Sequence, residues 1–295
     1  LQSSSDMKTD AVTPADLARS VIAVPPLAWS ADGTPSLEEN RKIVAWMASG
    51  GVSSFLYGGN ANFYHLGLAD FPKVLDIMVE IAPADGWMIP SVGPDFGKAM
   101  DQVAILRGYD FPTAMALPMA APTKPAGVAT GLRRLADAYG KPITAYVRAE
   151  NYLAPRDIRA LLDDGAVCTV KYAVELTEPA EDAYLTAIIE AIGTERLASG
   201  IGERPAVVHL DQFGLVGFTS GSVAVAPHLS MAILAALKGG DAATAETLRA
   251  RFLPFEDQRD ALSPIVALHD GVRLAGIADT GPMQPYLANL TDEQA

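Results

Sequence analysis

The sequence predicts an α/β protein, a closed (β/α)8 TIM barrel followed by a C-terminal three-helix extension. Three observations carry that prediction. Eight short apolar runs recur along the chain, at 20–26, 53–59, 87–93, 113–119, 142–147, 166–173, 196–202 and 217–223. The gaps between them are filled by stretches of helical pattern, so the repeat of roughly 20 to 35 residues is that of one βα unit. No Gly-x-Gly-x-x-Gly fingerprint follows the first run, which counts against an open sheet wound around a dinucleotide.

Taken in order, residues 1–19 read as a lead-in, with Leu1-Gln2-Ser3-Ser4-Ser5-Asp6 before Met7 resembling a tag remnant that is too short and polar for a signal peptide. The barrel spans 20–226. Its first inter-strand helix starts at Ser36, a capping residue, continues with Glu38 and Glu39 in the first turn, and stops at Gly50-Gly51. Further helices are expected at 72–81, 97–107, 127–139, 155–163, 180–192 and 205–212. From 227 to about 273 the chain is alanine-rich and helical, with Gly239-Gly240 as a break, and three helices fit there against the barrel. A proline-containing loop and a polar end complete the extension, 227–295.

Composition narrows the functional classes. Of 295 residues, 49% are hydrophobic and 19% charged, which is a cored globular chain. A net charge of −13 argues against nucleic acid and anionic membranes as partners, while leaving room for an anionic small molecule in a locally positive pocket. Cys168 is the single cysteine, so no internal disulfide can form, which fits a reducing, cytoplasmic setting. His65, His209, His228 and His269 include no closely spaced pair, and nothing points to a metal. No apolar run reaches the roughly 18 residues of a membrane span.

The candidate chemistry centres on Lys171, in the middle of the apolar run Ala166-Val167-Cys168-Thr169-Val170-Lys171-Tyr172-Ala173. An ammonium taken out of water tends to lose its proton, and the neutral amine is then a nucleophile towards carbonyls. The alternative is a lysine that merely pairs with a carboxylate at the strand end. Period-2 alternation groups Val167, Thr169 and Lys171 on one face, aimed into the barrel, and Cys168, Val170 and Tyr172 on the outer one. The same parity aims Thr144, Tyr146 and Arg148 inward. A tyrosine facing the lysine could carry protons, or could simply be packed. Gly58-Gly59-Asn60 ends the second run in a turn whose backbone N–H groups could hold a carboxylate. Gly200-Ile201-Gly202 and Gly217-Phe218-Thr219 end the last two with glycines that allow close approach of a ligand and a hydroxyl nearby.

This order of motifs resembles the dihydrodipicolinate synthase / N-acetylneuraminate lyase family, the pyruvate-dependent class I aldolases. Val24-Pro25-Pro26 followed by Asp32-Gly33, the interval from Pro155 to Lys171, and the helical tail with its proline-containing loop match as well. The resemblance covers 20 to the C-terminus. It implies a (β/α)8 barrel, commonly a homodimer or homotetramer, acting on a small 2-oxo acid with no cofactor beyond the imine. Lys171 would form that Schiff base and Tyr146 would be the proton shuttle. Gly59 and Asn60 would hold the 2-oxo acid carboxylate, with Thr219, Gly200 and Gly202 around it.

The sequence departs from the family pattern at three places. Gly58-Gly59-Asn60-Ala61-Asn62 lacks the hydroxyls of the lysine-pathway synthases. Met119-Ala120 stands where those synthases reach a tyrosine into a neighbour. Their loop arginine has no aligned counterpart, leaving Arg148 or Arg204 to meet the distal part of a substrate. The expected activity is a Schiff-base lyase or aldolase on pyruvate or another 2-oxo acid, dihydrodipicolinate synthase-like. The alternatives are a 2-keto-3-deoxy-sugar-acid dehydratase or aldolase, and a non-catalytic relative that binds a small acid.

Overall fold

The computed structural model describes residues 7–295; the reading of residues 1–6 as a tag remnant lies outside the described residues. Eight parallel strands form a closed barrel in sequence order, with the first also paired to the last. They are β1 Ile22–Ala23, β2 Ser54–Tyr57, β3 Trp87–Val92, β4 Ala114–Ala116, β5 Ile143–Val147, β6 Val167–Tyr172, β7 Leu197–Ser199 and β8 Gly217–Ser220. Every one is buried along its whole length, the reason each reads as a continuous apolar run rather than an alternating one. β1 is short because Pro25 and Pro26 have no N–H to give a ladder, after Val24 N–H donates to Ser220 O at 2.7 Å.

Among the described residues, the lead-in contains a helix of its own, α1 Pro14–Arg19. It packs on β8 so closely that a Cβ on residue 217 would lie 2.2 Å from Leu17 O, which only glycine avoids. The barrel helices follow: α2 Leu37–Ser49, α3 Phe71–Ile81, α4 Phe96–Leu106, α5 Pro125–Tyr139, α6 Pro155–Asp163 and α7 Ala183–Ile192. Ser36 caps α2 as expected, accepting from Glu39 N–H at 3.3 Å. The helix expected at 180–192 is divided. A 3-10 turn, Pro179–Glu181, precedes α7, and Asp182 caps α7 through Leu185 N–H at 2.8 Å. The one expected at 205–212 is a π-helical turn, Val208–Gln212, too short for a regular helix.

Two further expectations are corrected. The extension has four helices rather than three: α8 Pro227–Lys238, α9 Ala242–Arg249, α10 Leu253–Leu262 and α11 Pro264–Leu274. The extra break lies at Ser263, whose φ of 174° is extended, as favoured before Pro264. Cys168 does not sit on the outer face. Its Sγ lies 3.4 Å from Thr113 Oγ1, in a chain of hydroxyls continued by Thr144 and Thr169 at 3.2 and 3.0 Å. Ile143 pairs with Val167 but Thr144 with Thr169, so β6 carries one extra residue at Cys168 and parity changes there. Beyond the bulge the register is regular, and Tyr146 stands opposite Lys171. Among the described residues, no helix is long and apolar enough to cross a membrane.

Candidate active site

The C-terminal ends of barrel strands surround a cavity of about 210 Å³. Lys171 from β6 and Tyr146 from β5 line it together, each almost wholly buried. Lys171 is 6% exposed, and its Nζ lies 4.3 Å from the centroid of the Tyr146 ring. Burial brings the Lys171 amine down to about 7, with the Arg148 guanidinium adding to the effect. Burial pushes the Tyr146 phenol well above its usual value, with Tyr64 adding to it. Near neutral pH the site therefore offers a substantial fraction of free amine beside an un-ionised phenol. These are the protonation states needed to attack a ketone and to lend a proton.

Gly59, Asn60, Arg148, Gly200, Gly202 and Thr219 also line the cavity. Gly202 N–H donates to Thr219 O at 3.0 Å, which ties the ends of β7 and β8 together below the opening. Arg148 stands at the rim, half exposed, with Glu175 3.8 Å away. Arg204 does not reach the cavity. Its guanidinium is taken by the exposed carboxylates of Asp257 and Asp260 of α10, at 2.8 and 3.0 Å, of which Asp260 itself lines the cavity. Of the two arginines proposed for the distal part of a substrate, Arg148 lines the cavity and Arg204 does not. Met119 lines a separate cavity of about 700 Å³ between the ends of β3 and β4 and helix α5.

Sequence reasoning missed Tyr64, Glu175, Glu256 and Arg259, all of which line the cavity. The last two come from α10, which the extension folds across the opening. They form an ion pair at 3.1 Å and are both buried. Behind Glu256 lies Glu203, fully buried, its carboxylate accepting from Ser220 Oγ at 2.7 Å and Ser230 Oγ at 2.5 Å. Burial, and then the charge of Glu256, push Glu203 up to about 7. Spacing alone offered one signal: Glu256 and Arg259 are an i,i+3 pair, while Asp257 and Asp260 form a second such pair turned towards Arg204.

No family model matches the chain. It is 28% identical over 250 residues to a probable 5-dehydro-4-deoxyglucarate dehydratase from Allorhizobium ampelinum, covering 81% of this chain and 80% of that protein. It is 24% identical over 283 residues to a second such probable dehydratase from Streptomyces coelicolor, covering 94% and 85%. Among solved structures, dihydrodipicolinate synthase from Bacillus clausii superposes with a TM-score of 0.84 at 19% identity, over 95% of both chains. The chain thus has the barrel fold of the one and sequence similarity to the others, and in both respects it resembles the dihydrodipicolinate synthase / N-acetylneuraminate lyase family.

Proposed function

We propose that this protein is a Schiff-base-forming lyase that dehydrates a 3-deoxy-2-oxo sugar acid, with Lys171 as the nucleophile and Tyr146 as the proton carrier. The observation that carries the proposal is the buried lysine, lowered to about 7, standing in register opposite a buried tyrosine at the mouth of a closed barrel. A protein that only bound a small acid would need neither group there, and a buried amine costs it stability.

In this reading Lys171 Nζ adds to the substrate ketone, and the adduct loses water to give an imine. The imine makes the proton on carbon 3 acidic. Its removal leaves an enamine, whose electron pair expels the hydroxyl on carbon 4, protonated as it leaves, as water. One water then hydrolyses the remaining imine, which frees Lys171 and releases a product with one water fewer than the substrate. Tyr146 is the neutral phenol beside these steps. No cofactor beyond the lysine is needed.

Dehydration of a sugar acid is favoured over synthase chemistry by two features. The sequence relatives are named as dehydratases of 5-dehydro-4-deoxyglucarate. Counted from the carboxylate beside its ketone, such an acid is a 3-deoxy-2-oxo acid with a hydroxyl on carbon 4 and a second carboxylate at the far end. Arg148 at the rim offers a cation for that far end. The test is turnover on a panel. 3-Deoxy-2-oxo sugar diacids are expected to lose water, while pyruvate with aspartate semialdehyde gives no product. Turnover of the second pair alone would reverse the assignment.

A further inference from the structure

We infer that Arg259, contributed by the C-terminal extension, binds the carboxylate next to the reacting ketone and that Asn60 serves to position it. This rests on the Schiff-base reading of Lys171 and names the group that recognises the acid end of its substrate.

Arg259 is 7% exposed and lines the cavity together with Gly59, Asn60, Tyr146 and Lys171. Its planar guanidinium is held from several sides. Nε donates to Pro264 O at 3.3 Å. Nη1 donates to Glu256 Oε1 at 3.1 Å and to Ser222 Oγ at 3.2 Å. Nη2 donates to Asn60 Oδ1 at 3.3 Å. An arginine has five N–H donors, and these contacts use four, so one Nη2 hydrogen is left in a group that forms part of the cavity wall.

The Asn60 side chain is engaged on both sides: its Oδ1 accepts from Arg259 Nη2, and its Nδ2 donates to Val24 O at 2.8 Å. Each of these contacts fixes the guanidinium relative to the end of β1. The chain also leaves room for this pair. A Cβ on residue 221 would lie 2.5 Å from Asn60 Nδ2 and 2.8 Å from Arg259 Nη2, so the glycine just after β8 keeps both in place.

The ion pair with Glu256 alone is a poor reason for a buried arginine, since apolar residues of similar size usually serve stability as well. At a cavity wall the same pair orients a permanent cation with a free donor, the geometry suited to a carboxylate. Glu203, behind Glu256, is raised to about 7 by burial and by the charge of Glu256.

The inference separates two ketones. Pyruvate carries the carboxylate, and acetone has the same ketone without it. Imines of both with the purified protein are trapped by borohydride and counted by intact mass. Arg259→Met is expected to raise the pyruvate concentration for half-trapping by about 10- to 100-fold, the range of a lost charge-assisted hydrogen bond, with acetone trapping unchanged. Arg259→Lys should fall between the variant and the wild type. Where Arg259→Met does not fold because Glu256 is left unpaired, Arg259→Lys and the double variant Glu256→Gln/Arg259→Met carry the same comparison. Pyruvate trapping at the wild-type concentration, or equal weakening for both ketones, overturns the role of Arg259 while leaving Lys171 as the nucleophile. Failure of the wild type to trap either ketone overturns both.

Discussion

Lys171→Ala is expected to reduce turnover to background, a loss on the order of 10⁴- to 10⁶-fold, as for removal of other covalent nucleophiles. Among the described residues no other lysine lines the cavity, so no neighbouring amine there can take over the imine. Folding should survive the change. The lysine is lowered from 10.5 to about 7 in the folded protein. The folded state then holds fewer protons than the unfolded chain between about 7 and 10.5, and stability rises with pH across that window. Below about 7 the full cost of carrying a buried ammonium is paid. Alanine removes that cost, so the variant should melt no lower than the wild type at neutral pH, and its melting temperature should lose the rise between pH 7 and 10. Circular-dichroism melts beside a turnover assay check both parts. A variant that is folded and active would exclude Lys171 as the nucleophile.

Tyr146→Phe is expected to slow turnover by about 10²- to 10⁴-fold, the range of a positioned acid–base group. The phenyl ring would remain over Lys171, where the Nζ-to-centroid distance is 4.3 Å, so burial of the lysine is retained. The two halves of the reaction should therefore separate. Imine trapping with pyruvate should persist near wild-type extent, while the proton transfers that complete turnover fail. The hydroxyl is held un-ionised by burial, which suits a group that lends and recovers a proton rather than a standing base. Turnover within a few-fold of wild type would assign the phenol a packing role only.

How far the sequence showed all this depended on whether a feature was local. The eight strands were legible because parallel strands covered on both sides are apolar at every position. Lys171 and Tyr146 were legible for a related reason. They lie on neighbouring strands, and a period of two says which way each points once the strands are known. The same rule failed at Cys168, because a bulge adds a residue that no composition signal marks. The boundary between α10 and α11 was missed although Pro264 marks it, because residues with helical pattern continue on both sides with only Ser263 between the two helices. Arg259 was out of reach. It is 199 residues from Asn60, on a helix whose charges resemble any solvated face until the extension folds over the barrel. Arg204 shows the converse. Its place just after β7 suggested the cavity, and only the packed position of Asp257 and Asp260 shows where its charge goes.

The claim that Lys171 is an imine-forming amine is tested most directly by trapping it. The protein is incubated with pyruvate and borohydride at a series of pH values from 5 to 11, weighed intact, and digested for peptide mapping. The expected result is a single pyruvate-derived mass gain on the peptide that carries Lys171, with an extent that rises with pH through a midpoint at about 7. No mass gain, a gain on any other lysine, or a midpoint near the roughly 10.4 of a free lysine would contradict it.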